Sequence, residues 1–178
     1  MISTAEEVVN DDLAAGRTPT WNHITLVWSY LGNTEVVIGV CLLVAGLLVW
    51  RTRDWRLAVV PAIAILLQSV IFATVSSLVD RERPLVPKLD ISPPTTSYPS
   101  GHVGASTALY FAFALLALRI PYPWLRRLTI FLCLVVPLLV AFARLYRGMH
   151  HVTDVSAALV VGITCALLAH AWYQHRNQ

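Results

Sequence analysis

Three residues in the last fifth of the chain, His150, His151 and Asp154, have the types and spacing for nucleophilic catalysis. In a helix, residues four apart share a face, so His150 and Asp154 would lie side by side. A carboxylate bonded to one imidazole nitrogen fixes the tautomer, and the other nitrogen is then free to attack phosphorus. The spacing favours His150 as the nucleophile. His151 remains a rival, although a helix start or an interface is its simpler interpretation.

Several arginines without matching carboxylates indicate an anionic ligand for this pair. Guanidinium groups match phosphate oxygens with paired hydrogen bonds. Ser100 and Gly101 stand where a loop becomes a helix, and the free N–H groups of a helix start bind anions, while glycine allows close approach. The cations are Arg81, Arg83, Arg144 and Arg147, of which Arg147 is explained equally well as a contact to a lipid headgroup.

His102 opens a different helix from the one that Asp154 opens. It could protonate a leaving oxygen and later activate water, as a general acid and base does. The arginines would stabilise the charge that phosphoryl transfer spreads over the equatorial oxygens. Each residue alone has a simpler explanation, since His102 could cap its helix and Asp154 could be a charge favoured by the helix dipole. Only their convergence favours catalysis, so the elements that carry them decide the matter.

The composition places these elements in a membrane. The chain of 178 residues is 57% hydrophobic and 13% charged, whereas soluble domains carry about a quarter charged residues. The net charge of +3 and the lack of a basic patch with interleaved aromatics argue against nucleic acid as a partner. Five apolar segments approach the roughly 20 residues that a membrane span needs. They are Val36–Trp50, Trp55–Val79, Gly101–Leu118, Leu128–Tyr146 and Val152–Tyr173.

The N-terminal part differs from the rest. Met1 to Gly16 is polar and acidic, without the basic start and apolar core of a cleaved signal peptide. Trp21–Leu31 has aromatic and aliphatic residues at helical spacing, which predicts an amphipathic helix in the membrane interface. We therefore expect an all-α integral membrane bundle of about five spans, with six the alternative. Residues 1–32 would form the N-terminal segment and 33–178 the transmembrane phosphatase domain.

The loop charges predict which ends of the spans share a side of the membrane. Arg-rich short loops stay in the cytoplasm, which places the C-terminus inside. The opposite ends, including the proline-rich loop Asp80–Ser100, would face outward in a plasma membrane and carry all of the candidate site residues. The cytoplasmic arginines are Arg51, Arg53, Arg56, Arg119, Arg126, Arg127 and Arg176.

The three cysteines, Cys41, Cys133 and Cys165, lie inside apolar runs. No CxxC or Cys/His cluster is present in the sequence, so a zinc site is not expected. Small hydrophobic residues in helices are the better interpretation of these cysteines. We expect the site to work without a metal or another cofactor.

Taken together, the residues resemble the type 2 phosphatidic acid phosphatase (PAP2) superfamily of membrane lipid phosphatases. That family carries a Lys-x6-Arg-Pro block, a Pro-Ser-Gly-His block and a Ser-Arg-x5-His-x3-Asp block. The chain has SSLVDRERP ending at Arg83-Pro84, an intact PSGH ending at His102, and ARLYRGMHHVTD ending at Asp154. The resemblance covers residues Ser76 to Asp154.

The resemblance implies roles for the site residues. His150 becomes the phosphohistidine nucleophile, because it stands six residues after Arg144, with Asp154 as its partner. His102 becomes the general acid. Phosphate ligands would be Arg83, Ser100, Gly101 and Arg144. Members commonly have six spans, so a count of five is a departure.

Two motif positions also depart from the family pattern. The family lysine is Ser76 here, and the serine before Arg144 is Ala143. One cationic phosphate ligand is therefore missing. Arg81 is the first candidate to replace it, and Lys88 the second.

The predicted function is hydrolysis of a lipid phosphomonoester or pyrophosphate, with a lipid phosphate substrate and membrane lipids as partners. One alternative is transfer of the phosphoryl group to another lipid through the same intermediate. Another is a non-catalytic protein that binds or transports lipid headgroups, although simple binding requires neither an acid nor a nucleophile. The substrates in view are polyprenyl diphosphate, phosphatidic acid, phosphatidylglycerophosphate and a polyprenyl-phosphate sugar.

Overall fold

The computed structural model describes residues 4–91 and 96–176, so residues 92–95 of the predicted proline-rich loop lie outside the described part. The described residues form eight helices and no strand, which confirms the all-α class. The helices are α1 (Thr4–Ala15), α2 (Pro19–Tyr30), α3 (Thr34–Thr52), α4 (Trp55–Ala58), α5 (Val60–Leu78), α6 (Gly101–Ala117), α7 (Pro123–Tyr146) and α8 (Val152–His175).

Within the described ranges, four helical stretches are long and apolar enough to cross a membrane: α3, α7, α8 and the continuous pair α4–α5. The fifth apolar helix, α6, has 17 residues. These five stretches coincide with the predicted spans to within five residues at each end. Large apolar side chains are exposed along them, as lipid-facing side chains are. Examples are Leu42, Leu66, Phe131, Val160 and Leu168.

The centre of the bundle is α6, which packs against α5, α7 and α8. Small residues make this packing close. A Cβ on Gly104 of α6 would lie 2.4 Å from the side-chain nitrogen of Gln68, and one on Gly162 of α8 would lie 2.6 Å from Thr107. Helices in membranes associate through such small residues. The close packing holds the N-terminal end of α6, which begins at Gly101.

The helix predicted at Trp21–Leu31 is observed as α2. It packs along the C-terminal half of α7. Trp21 and Trp28 both make edge contacts with Phe142 of α7, with ring centroids 6.1 Å apart in each pair. Thr25 and Ser29 are buried on the same helix, so α2 also brings polar groups to the inside of the bundle.

Helix α1 is a feature that the sequence pattern did not predict. Its residues carry no strong apolar stripe, and a short isolated helix of this kind is marginal in water. Contacts with the rest of the chain hold it in place. The Asn10 side chain is fully buried and donates to the main-chain oxygen of His150 at 3.2 Å. The acidic N-terminal segment therefore belongs to the structure around the predicted nucleophile.

Candidate active site

A cavity of about 760 Å³ lies where the C-terminal ends of α2 and α7 meet the N-terminal ends of α3 and α6. Its wall holds five of the eight predicted site residues, and Arg147 with them. The five are Arg83, Gly101, His102, Arg144 and His150. Ser100 stands between two wall residues, Pro99 and Gly101. Arg81 and Asp154 do not line the cavity.

A tight turn between α7 and α8 places His150. Gly148 has a φ of +69°, a conformation that favours glycine, and a Cβ there would lie 2.7 Å from Val86. The Met149 N–H then bonds to the Arg144 carbonyl at 3.0 Å. Arg83 donates to the main-chain oxygen of Met149 at 2.8 Å. The residue before His150 is therefore fixed from both sides.

The His150 ring is held by a main-chain oxygen. Its Nδ1 lies 2.7 Å from the carbonyl oxygen of Ser97, which can only accept a hydrogen bond, so Nδ1 carries the proton. Burial lowers the pKa of His150 from 6.5 to about 4, and the charges of Arg144 and Arg83 act in the same direction against the opposing effect of Asp154. The neutral ring therefore has its lone pair on Nε2.

The direct bond that the sequence predicts between Asp154 and His150 is not formed. Asp154 Oδ2 lies 3.8 Å from His150 Nδ1, which is beyond hydrogen-bond range. The carboxylate instead accepts from the Ser97 hydroxyl, from the Arg81 guanidinium and from the His151 N–H at 2.8 Å. The reason is competition, because these donors surround a fully buried carboxylate and Ser97 supplies the acceptor for His150.

Arg81 also differs from its predicted place among the phosphate ligands. One of its terminal nitrogens donates to Asp154 and to Thr153, and the other donates to Glu6 at 2.9 Å. Two carboxylates thus hold this guanidinium outside the cavity. Lys88, the second candidate to replace the family lysine, is exposed and does not line the cavity either.

The remaining predicted phosphate ligands surround the cavity floor. Arg144 is 4% exposed and donates to the Ser29 hydroxyl of α2 at 2.9 Å. Among residues 4–91 and 96–176, Arg144 Nε and Ser100 Oγ are buried without a hydrogen-bond partner. A Cβ on Gly101 would lie 3.2 Å from the Phe72 ring, so glycine here also permits close packing of α5 and α6. Buried donors without partners are what an anion site needs before its ligand arrives.

Asp90 is a cavity residue that sequence reasoning missed. It accepts from Arg144 at 2.9 Å and from Arg147 at 2.6 Å. Burial opposes its ionisation, but the bonds and charges of Arg147 and Arg144 outweigh burial and lower the pKa of Asp90. A carboxylate therefore occupies part of the cationic surface. Asp90 is one of three acidic residues in the loop Asp80–Ser100, and nothing in the sequence distinguishes it from Asp80 and Glu82.

Arg147 is hydrogen-bonded to groups of the protein itself. Besides Asp90, it donates to the carbonyl oxygens of Asn22 at 3.0 Å and Leu89 at 3.1 Å. These bonds join the end of α7 to α2 and to the loop before residue 92. Arg147 lines the cavity, but its donors are engaged by the protein.

His102 faces the cavity from the first turn of α6. Its Nε2 lies 2.8 Å from the side-chain oxygen of Asn33, the residue before α3. That oxygen accepts, so Nε2 carries the proton in this arrangement. Asn33 was not predicted, because nothing in the sequence connects the start of α3 with His102.

Behind His150 lies a second group of charged residues. We call Glu6, Glu7, Arg81, His151 and Asp154 the rear cluster. His151 is fully buried, with Nε2 3.1 Å from Glu7 and Nδ1 3.3 Å from Asp154. Burial opposes its protonation, but the bonds to the two carboxylates raise the pKa of His151 above 6.5. We call Arg83, Asp90, His102, Arg144 and His150 the cavity cluster.

Within the described part of the chain, no group of three or more His, Cys, Asp or Glu side chains could hold a metal ion. The three cysteines are buried and unpaired with each other. The cavity cluster brings two imidazole rings, two guanidinium groups and one carboxylate to the same cavity.

Comparison with known proteins identifies the family and the fold. A model of the PAP2 superfamily matches residues 53–178. No curated protein sequence matches the chain. A PAP2-type phosphatidylglycerolphosphate phosphatase from Bacillus subtilis superposes with a TM-score of 0.88 at 19% identity, over 97% of this chain and 86% of that one.

A second solved structure, LpxE from Aquifex aeolicus, superposes with a TM-score of 0.74 at 19% identity, over 96% of this chain and 97% of that one. At this identity the likeness is one of fold, and it includes α1 and α2, which precede the region matched by the family model. Because the family model matches well over half of the residues, the chain belongs to the PAP2 superfamily.

Proposed function

We propose that the protein is a membrane phosphatase that hydrolyses a lipid phosphomonoester or pyrophosphate through a phosphohistidine at His150. The observation that carries this proposal is the state of His150 in the cavity wall. Its Nδ1–H is bonded to the Ser97 carbonyl, so the Nε2 lone pair is available beside Arg83 and Arg144. An imidazole in this tautomer is a nucleophile at neutral pH.

In the first step, His150 Nε2 attacks phosphorus, and the bond from phosphorus to the leaving oxygen breaks. Arg83, Arg144, the Ser100 hydroxyl and the N–H groups at the start of α6 bind the phosphoryl oxygens. The bound phosphate anion favours the imidazolium form of His102. Its Nε2 exchanges the bond to Asn33 for one to the leaving oxygen and gives up its proton there, which leaves His102 as a neutral ring. The lipid alcohol or monophosphate departs, and the phosphoryl group stays on His150.

In the second step, water attacks the phosphohistidine. His102, now without its proton, takes one from the water. Phosphate leaves and His150 regains its lone pair, while His102 is again protonated. Fixed cations provide the charge stabilisation throughout, so the proposal requires no metal ion.

A lipid substrate is supported by the apolar part of the cavity wall, which lies beside the charged part. It consists of Leu26, Tyr30, Phe72, Leu89, Ile91 and Ala105. One fold relative is a phosphatidylglycerolphosphate phosphatase by name, which favours that lipid class among the candidates predicted from the sequence. Phosphatidic acid, polyprenyl diphosphate and a polyprenyl-phosphate sugar are the others.

We further propose that the site opens to the extracytoplasmic face of the plasma membrane, with the C-terminus in the cytoplasm. The arginines at the opposite ends of the spans support this orientation. In this arrangement residues 1–32 accompany the phosphatase domain, 33–178, at its outer face. The orientation can be tested with the variants Trp50→Cys and Leu85→Cys in intact cells. Only the cysteine at position 85 should react with a thiol reagent that does not cross the membrane.

The test of function is phosphate release from each lipid class by the purified protein in detergent with excess EDTA. Wild type should turn over at least one lipid, and His150→Ala should lose the activity. His175→Ala, an exposed histidine at the end of α8, is the matched control. Acid-labile labelling of wild type by ³²P-lipid, absent in His150→Ala, identifies the intermediate.

The outcomes separate the alternatives. Turnover that depends on an added lipid alcohol indicates a phosphotransferase. Lipid binding without turnover or labelling of the wild type indicates a headgroup-binding protein. Full activity of His150→Ala contradicts the proposed mechanism.

A further inference from the structure

Ser97 stands between the proposed nucleophile and the acidic residue that the motif assigns to it. The side chain is fully buried. Its hydroxyl donates to Asp154 Oδ2, and its carbonyl oxygen accepts the Nδ1–H of His150 at 2.7 Å. Its own N–H donates to the Arg81 carbonyl at 2.8 Å. One residue therefore touches both members of the pair that the sequence places in direct contact.

Asp154 makes no direct hydrogen bond to the proposed nucleophile. Its Oδ2 is 3.8 Å from His150 Nδ1, too far for a hydrogen bond. The Nδ1–H already has an acceptor in the Ser97 carbonyl. The carboxylate oxygens, in turn, are engaged by Arg81, Ser97 and the His151 N–H. Hydrogen bonding thus runs from Asp154 through Ser97 to His150.

We propose that Ser97 is a positioning residue for the nucleophile: its carbonyl holds the His150 Nδ1–H, and Asp154 acts on His150 chiefly by fixing Ser97 through the hydroxyl. The inference rests on the proposed function of His150. In this arrangement the Ser97 carbonyl, a neutral acceptor, fixes the tautomer of His150. The Asp154 carboxylate in turn fixes the orientation of that carbonyl. In a His–Asp pair in direct contact, the carboxylate performs both tasks.

Two consequences follow from this arrangement. First, loss of the Ser97 hydroxyl should loosen the carbonyl and slow the attack without removing any phosphate ligand. Second, conversion of Asp154 to an amide should leave the tautomer unchanged, because the carbonyl of Ser97 still accepts. A direct His–Asp pair predicts the opposite on both points.

The kinetic test is Ser97→Ala, assayed with dioctanoyl phosphatidic acid and with farnesyl diphosphate in detergent. Outer-shell hydrogen bonds of this kind contribute roughly 10- to 100-fold to activity, so kcat should fall by that factor while KM changes little. Ser106→Ala is the matched control. Ser106 is another fully buried serine, and its hydroxyl bonds only to carbonyls of its own helix. Equal kcat values for Ser97→Ala and Ser106→Ala would overturn the proposal.

The spectroscopic test needs no turnover. In ¹⁵N-histidine-labelled protein, the His150 ring should show the Nδ1–H tautomer in wild type and in Asp154→Asn alike. Assignment comes from the signals lost in His150→Ala. A switch of tautomer in Asp154→Asn would show that the carboxylate itself holds the ring, and it would overturn the proposal.

A further variant covers a failure of Ser97→Ala to fold. Ser97→Cys keeps a donor at the same position, although the thiol is larger than the hydroxyl and donates only weakly, so its kcat should fall between wild type and Ser97→Ala. A kcat equal to that of wild type in folded Ser97→Cys would count against a role for the hydroxyl bond. Failure of the proposed function is distinct, because wild type would then release no phosphate while the tautomer test still decides the role of Ser97.

Discussion

Two adjacent histidines, His150 and His151, face two differently built charged clusters. The cavity cluster surrounds His150 and leaves Arg144 Nε and the nearby Ser100 hydroxyl without partners in the described structure. The rear cluster surrounds His151 with carboxylates that are bonded to cations. Burial lowers the pKa of His150 to about 4, whereas bonds to Asp154 and Glu7 overcome burial and raise the pKa of His151.

The difference shows how one short turn holds the proposed nucleophile, His150, next to a histidine that forms structural ion pairs. A nucleophilic imidazole must be neutral, and burial beside cations keeps it so. An imidazole between carboxylates is stabilised as a cation and serves as a structural ion pair. Charge facing the cavity is therefore available to a ligand, and charge behind His150 is used within the protein.

The strongest test of this difference is loss of a cavity cation. Arg144→Ala should lower kcat/KM by roughly 10³-fold, because charge stabilisation by a fixed donor is often the largest catalytic term. It should also weaken binding of orthovanadate, a mimic of the phosphoryl group in flight. Arg127→Ala, at the other end of α7 and exposed, removes the same charge and should change neither quantity. Equal effects of the two variants would contradict a phosphate-binding role for Arg144.

Loss of a rear cation should act on stability instead. Arg81→Ala removes the guanidinium from Glu6 and from the buried Asp154, and breaking a buried ion pair costs about 3 kcal/mol. In a chain of this length that corresponds to a fall in Tm of roughly 6–12 °C. Vanadate affinity of the folded protein should stay near the wild-type value. A variant with normal Tm and weakened vanadate binding would restore Arg81 to the phosphate ligands that the motif spacing suggested.

Arg81 and Arg83 show how far the sequence could predict the site. Apolar runs predicted the spans, and motif register predicted that Arg83, His102, Arg144 and His150 would meet, as they do in the cavity wall. Arg81 and Arg83 lie in an irregular segment between α5 and α6, where no periodicity tells which way a side chain points. Although only two positions apart, Arg83 belongs to the cavity cluster and Arg81 to the rear cluster.

The N-terminal helix was beyond prediction for a related reason. Helices α3 to α8 consist mostly of apolar residues, which indicate membrane spans. Helix α1 is polar, and its place depends on Glu6, Glu7 and Asn10 meeting partners about 75 to 147 residues away. Such contacts leave no periodic trace in a single sequence. The fold class and the family were therefore predictable, while the roles assigned to the site residues remain predictions.

A smaller effect should come from the carboxylate within the cavity cluster. Asp90→Asn removes a negative charge bonded to Arg144 and Arg147, so vanadate should bind roughly three- to tenfold more tightly. Glu82→Gln, at an exposed position of the same segment, removes the same charge and controls for long-range attraction. If both variants bind vanadate more tightly by the same factor, the change in net charge explains the effect. If Asp90→Asn binds vanadate less tightly with its fold intact, Asp90 orders the arginines and does not compete for them.

The smallest effect should be the pH dependence of the rear cluster. The pKa of folded His151 is raised above 6.5, so its ion pairs stabilise the fold fully below pH 6.5 and lose effect as the pH rises through the raised pKa. Glu7→Gln removes one of these pairs, at a cost of less than about 1 kcal/mol. The Tm gap between wild type and Glu7→Gln should therefore narrow from pH 6 to pH 9, whereas Asp12→Asn, exposed on the same helix, should show no such narrowing. The lowered pKa of His150 has the opposite effect, because the free energy of unfolding should fall as the pH drops from 6.5 towards 4. A Tm difference between wild type and Glu7→Gln that does not change with pH would mean that His151 is a neutral ring. The two histidines would then differ only in the geometry of their contacts.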